Sequence, residues 1–156
     1  MEPTLNPESG FLRFRIDFSY DGTGFSGWAR QPDQRTVQGE IEAALSGLTR
    51  NNCELVVAGR TDAGVHATAQ VAHVDLPERD KYGKAWSTHD LVYRLNRMLT
   101  EEIRINGISF APPYFHARFS ALRRTYITRL LMASANLNHS SASILSRCIA
   151  TCIYLE

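Results

Sequence analysis

No stretch of this 156-residue chain stays apolar for the roughly 18 positions a membrane-spanning helix needs, so the reading is a protein without a membrane segment. The opening residues MEPTLNPESG contain two acids and neither Lys nor Arg. They lack the basic and apolar regions of a secretory signal, and the expected setting is cytoplasmic. Cysteine is scarce: Cys53, Cys148 and Cys152 form an odd set without framework spacing, which fits a reducing compartment. No His or acid stands at ligand spacing from Cys148 and Cys152, so no metal site is indicated there, and helix packing is the preferred reading. A P-loop, a dinucleotide fingerprint, a Ser/His/Asp order, internal repeats and low-complexity segments are all missing. With 44% hydrophobic and 21% charged residues, collagen-like, coiled-coil and disordered classes are excluded as well, leaving one globular domain.

The last absence is local. Residues 103–155 contain six Arg and no acid, whereas residues 1–102 hold 11 Lys or Arg against 15 Asp or Glu. The near-neutral total of +1 conceals this division. Arg118, Arg123, Arg124 and Arg129 cluster beside His116. Such a stripe points to a polyanion partner, although a solvated strand face has the same signature.

Periodicity supplies the framework. Leu12, Phe14, Ile16, Phe18 and Tyr20 alternate with Arg13, Arg15, Asp17 and Ser19, which predicts a half-buried strand. The stretch DGTGFSG, Asp21 to Gly27, breaks it. Thr36 caps a predicted helix with the apolar stripe Val37, Ile41, Ala44, Leu45 and Leu48. Further strands are expected at Cys53–Ala58, around Val71–Leu76 and at Ile103–Phe110, where Gly107 weakens the pattern. Ser87 and Asp90 have capping-box spacing ahead of Leu91, Leu95, Met98 and Leu99. The order is βαββαβ, an α+β ferredoxin-like unit with an antiparallel sheet, two helices on one face and the other face free for binding. After Pro112 and Pro113 another strand is expected within Phe119–Leu131, and Leu145, Cys148, Ile149, Cys152 and Ile153 make a helical stripe.

The loop between the second and third strands, GRTDAGVHAT (Gly59 to Thr68), concentrates reactive groups between two apolar strands. Arg60 and Asp62 are two apart and point the same way if the segment is extended. A neighbouring arginine favours an ionised carboxylate, as a nucleophile or base requires. A structural Arg–Asp pair in a surface turn fits the same string, and His66 is either a general base or incidental. The loop has no second carboxylate, so paired-carboxylate glycosidase chemistry has no local support.

The string AGRTDAGVHA, Ala58 to Ala67, resembles the signature of TruA-type tRNA pseudouridine synthases. FSYDGTGFSGWARQ (Phe18 to Gln31), RTVQGEIEAAL (Arg35 to Leu45) and FHARFSALRRTY (Phe115 to Tyr126) agree in the same order. The resemblance spans residues 11–126 and implies conversion of uridine to pseudouridine in the tRNA anticodon stem-loop, without a cofactor. It implies that Asp62 is the nucleophile. Arg60 would pair with it and hold the opened RNA helix, while Tyr126 packs on the flipped uracil. Arg118, Arg123 and Arg124, with Arg30 and Arg35, become candidate tRNA phosphate contacts. Trp28 and Phe25 are stacking groups or core, with core the simpler reading. The family association also implies a homodimer.

Family members are about twice as long as the matching part and place the active-site cleft between two similar halves. The expected division is a flexible N-terminus at 1–10, a ferredoxin-like catalytic domain at 11–111, and a strand at 112–130 that begins the second half. A tail at 131–156, helical or poorly ordered, is foreign to the family. The expectation is thus a truncated synthase. Its competitor is a non-catalytic ferredoxin-like RNA-binding module or inactive fragment, for which exposed aromatics on the central strands would be the sign. The polar face of the first strand, Arg13, Arg15, Asp17 and Ser19, holds none.

Overall fold

Alternation alone sets the first strand: β1 runs Phe11–Tyr20, with Phe14, Ile16, Phe18 and Tyr20 buried. The structure, a computed structural model, describes residues 6–131 and 145–154. Parts of the expected flexible N-terminus (1–5) and tail (132–144, 155–156) lie outside the described residues. Helix α1, Val37–Thr49, begins where the Thr36 hydroxyl accepts from the Gly39 amide at 3.2 Å. Helix α2, Thr88–Met98, begins where the Ser87 hydroxyl accepts from the Asp90 amide. Strands β2 (Val56–Val57), β3 (Ala67–Pro77) and β4 (Ile103–Phe110) complete the unit.

β1 lies between β4 and β3, and β2 pairs with the far edge of β3, each neighbour antiparallel. This is the expected ferredoxin-like α+β arrangement. In register, Phe14 faces Val74 and Ile16 faces Ala72, so the even-numbered residues share one face. Val37, Ile41, Ala44 and Leu45 of α1 join that face, with Leu91 and Leu95 of α2, in one core cluster. Each buried Val, Leu, Ile or Phe side chain among them contributes about 1.5–3 kcal/mol. Met98, counted in the α2 stripe, stays about half exposed. Gly107 marks a shift in the β1–β4 register beside Asp17, which is why the pattern weakened there.

Three local expectations change. The second strand was expected over Cys53–Ala58 but forms only at Val56–Val57. The Leu55 amide donates to the buried Glu42 carboxylate at 2.8 Å and the Cys53 amide to the Ser46 hydroxyl at 3.3 Å, so α1 rather than β3 takes those donors. The strand expected from Phe119 starts as β5 at Arg123–Leu131, because the Phe119 and Ser120 amides close a turn on the His116 carbonyl. The helical stripe expected at Leu145–Ile153 is instead strand β6, Leu145–Tyr154. It pairs antiparallel with β5 from Leu145 to Tyr154 and parallel with β3 at Ala69. The β-branched residues Ile149, Thr151 and Ile153 suit a strand as well as a helical stripe does, and an available ladder decides.

The sheet face opposite the helices is not free, contrary to expectation. Residues 113–121 fold across it, and Arg13, on the polar face of β1, is 3% exposed. Its guanidinium makes two 2.8 Å bonds to Asp75 and donates to the carbonyls of Pro113 and Phe115. His73 on the same face accepts from the Ala117 amide at 3.1 Å, and its ring meets the ring of His116 edge-on. A small second cluster of Ala58, Val71 and Ala117 closes the contact.

Candidate active site

The loop from Gly59 to His66 is held by bonds to residues remote in sequence. Thr61 points inward between the exposed Arg60 and Asp62, as alternation requires, and its hydroxyl bonds the buried Tyr20 phenol at 2.7 Å. Burial pushes the Tyr20 phenol up, against the lowering effect of its bonds to Thr61 and Gln70. Gln70 is fully buried and donates to the Gly59 carbonyl at 2.8 Å, while the Trp28 amide donates to the Thr61 carbonyl at 2.9 Å. Asp62 is thus an outward side chain on a backbone fixed on both sides.

The glycine-rich stretch after β1 packs directly on this loop. A Cβ at Gly22 would lie 1.9 Å from the Val65 carbonyl oxygen, and one at Gly27 would lie 3.0 Å from that of Thr61. Gly27 also has φ +96°, a region that favours glycine. The Gly64 amide donates to the Phe25 carbonyl at 3.3 Å. His66 joins the two loops, with Nδ1 3.0 Å from an Asp21 carboxylate oxygen and 3.3 Å from the Gly22 amide.

A cleft of about 580 Å³ opens beside the loop, and Arg60, Arg118, Arg124 and Tyr126 all line it. Tyr126 is 54% exposed. The cleft therefore gathers three of the arginines and the tyrosine singled out in the sequence. Asp62 sits on the adjoining turn and does not line it. The expected Arg60–Asp62 ion pair is not formed among the described residues; both side chains are exposed.

The remaining candidates lie elsewhere. Arg35 is bound to Glu102 and Glu40 at 2.7 and 3.0 Å, lies over the Phe25 ring, and is held charged more firmly than usual by Glu102 first and Glu40 second. Arg30 is exposed, with a loose 3.7 Å approach to Glu42, and Arg123 is an exposed residue of β5 outside the cleft. Trp28 and Phe25 are core, at 1% and 4% exposure. Tyr20, Thr61 and Gln70 are the supports that sequence reasoning missed. Gln70 carried a readable signal: it extends the parity of Ala72, Val74 and Leu76 and so places an amide on the apolar face.

A family model for tRNA pseudouridine synthase matches residues 18–120, which include the loop, its glycine-rich partner and the segment across the sheet. The chain belongs to the tRNA pseudouridine synthase family. Among curated relatives, tRNA pseudouridine synthase A of Frankia casuarinae is 55% identical over 122 residues, covering 78% of this chain and 42% of its own length. The protein of that name from Streptomyces griseus is 54% identical, with 79% and 43% covered, and that from Corynebacterium glutamicum 50%, with 76% and 43% covered. The chain therefore spans little more than two fifths of these synthases. Among its described residues, no helix is long and apolar enough to cross a membrane.

Proposed function

We propose that this chain carries the uridine-isomerising site of a tRNA pseudouridine synthase acting on the anticodon stem-loop, with Asp62 as the nucleophile. One observation carries the reading: the exposed Asp62 carboxylate stands on a doubly anchored backbone next to a cleft lined by three arginines, Glu54 and an exposed tyrosine. The chemistry needs one carboxylate and no cofactor. Asp62 attacks the nucleoside and the N1–C1′ bond breaks. The retained uracil then turns, C5 joins C1′, the bond to Asp62 breaks and returns the free carboxylate, the C5 proton leaves and N1 gains a proton. The target base has to leave its stack, at a cost of a few kcal/mol. Stacking on Tyr126 returns about 1–3 kcal/mol. Arg60 occupies the space the base vacates, and Arg118 contributes a phosphate contact that sets register without reading sequence. The setting proposed is a cytoplasmic homodimer.

Because the relatives are more than twice as long as the matching region, the whole reaction is assigned to this half together with a second half of the family type. Tritium release from tRNA labelled at uracil C5 tests the assignment, with the chain alone and with the chain joined to such a second half. Release is expected from the extended protein, and Asp62→Ala abolishes it. Release that persists at the wild-type rate in Asp62→Ala would end the proposal.

A further inference from the structure

We propose that Arg124 is a positioning residue, which sets Tyr126 against the Asp62 loop, rather than a tRNA phosphate contact. The proposal rests on the reading of Asp62 and Tyr126 given above. Arg124 is exposed at the cleft, yet its guanidinium turns back onto the chain's own backbone. Nε donates to the Ala58 carbonyl at 2.8 Å, and one Nη donates to the Arg118 carbonyl at 2.6 Å. Ala58 is the buried residue at the start of the Gly59–His66 loop, and Arg118 belongs to the segment folded across the sheet. One side chain on β5 thus joins three pieces of chain that no regular ladder connects at this point.

The contact continues to the ring. A Cβ at Gly59 would lie 3.3 Å from the Tyr126 hydroxyl and 3.4 Å from Arg124 Cδ, so both side chains reach the same bare backbone. The β5–β6 register shifts between Thr125 and Tyr126, and the ladder alone therefore does not dictate where Tyr126 points. The planar fork of Arg124 supplies that constraint, since it fixes two acceptors in one plane. A lysine has the charge but not the fork.

Arg124→Lys separates the two roles. In the free chain, the NMR contact between the Tyr126 ring and the Gly59 α-protons is expected to disappear in Arg124→Lys while core methyl shifts of Ile16, Leu45 and Leu95 stay in place. Should the lysine variant fail to fold, Arg124→Gln, which keeps one donor, is read in the same way. Persistence of the Tyr126–Gly59 contact in the folded variant overturns the proposal. The salt dependence of tRNA binding is the second readout. Arg124→Gln is expected to leave its slope unchanged, whereas Arg118→Gln lowers it by about one. A drop of about one for Arg124→Gln assigns it to phosphate and overturns the proposal. In the extended protein, Arg124→Lys is expected to slow single-turnover tritium release at least tenfold with tRNA affinity within twofold; an unchanged rate overturns it too. Absence of tRNA binding by the wild-type protein refutes the proposed function instead, and the NMR readout still decides the position of Tyr126.

Discussion

A methyl group has opposite prospects at Gly22 and Gly64, two glycines that the sequence presents alike. At Gly22 it would meet the Val65 carbonyl oxygen at 1.9 Å, and the neighbour is backbone that has no rotamer to change. Gly22→Ala is expected to destabilise by about 3 kcal/mol. At Gly64 the φ of +77° strains an alanine, yet nothing lies within 4 Å. That substitution costs about 1 kcal/mol. Urea midpoints of the two variants check the ranking, and equal shifts would show that the two loops are not in the described contact. Residue identity in the motif was legible because Arg60, Thr61 and Asp62 follow one another in sequence. Their supports were not, since Tyr20 and Gln70 reach the loop from β1 and β3, and only tertiary structure places a phenol 2.7 Å from Thr61.

Elements differ in how far their ends are written in local sequence. Helix starts were readable, because a cap is a bond between near neighbours: Thr36 to Gly39 and Ser87 to Asp90. Thr36→Ala is expected to cost about 1 kcal/mol in stability by chemical denaturation, since the Gly39 amide loses its acceptor. A midpoint unchanged by this substitution would mean that α1 is not held by its cap. The ends of β4 were readable for a similar reason, with one buried face and a break at Pro112. β2 and β6 were not, because each depends on a choice between partners. Glu42 and Ser46 take the amides that would have lengthened β2. In β6 a stripe of Ile and Cys fits two periods, and pairing with β5 selects the strand.

For the molecule as a whole, the covered sheet face couples stability to pH. Burial first, then the charge of Arg13 and the neighbouring His116, depress the His73 imidazole from 6.5 to about 4, with Asp75 opposing. The unfolded chain takes up a proton near pH 6.5 and the folded one does not, so this contribution is present above about 6.5 and is lost as pH falls toward about 4. The full span corresponds to roughly 3 kcal/mol. His73→Asn retains an acceptor for the Ala117 amide and removes the titration. Its unfolding free energy is expected to fall less than that of the wild type between pH 7 and pH 5, and parallel curves would place the proton elsewhere. The contact between the two loops has a consequence of another kind. Asp62 is displayed by two interlocked backbones, Asp21–Trp28 and Gly59–His66, whose fit depends on missing side chains. A protein engineer moving the carboxylate to a new scaffold would therefore have to transplant both segments together. Randomised libraries have room at the outward Arg60, but not at Gly22 or Gly27.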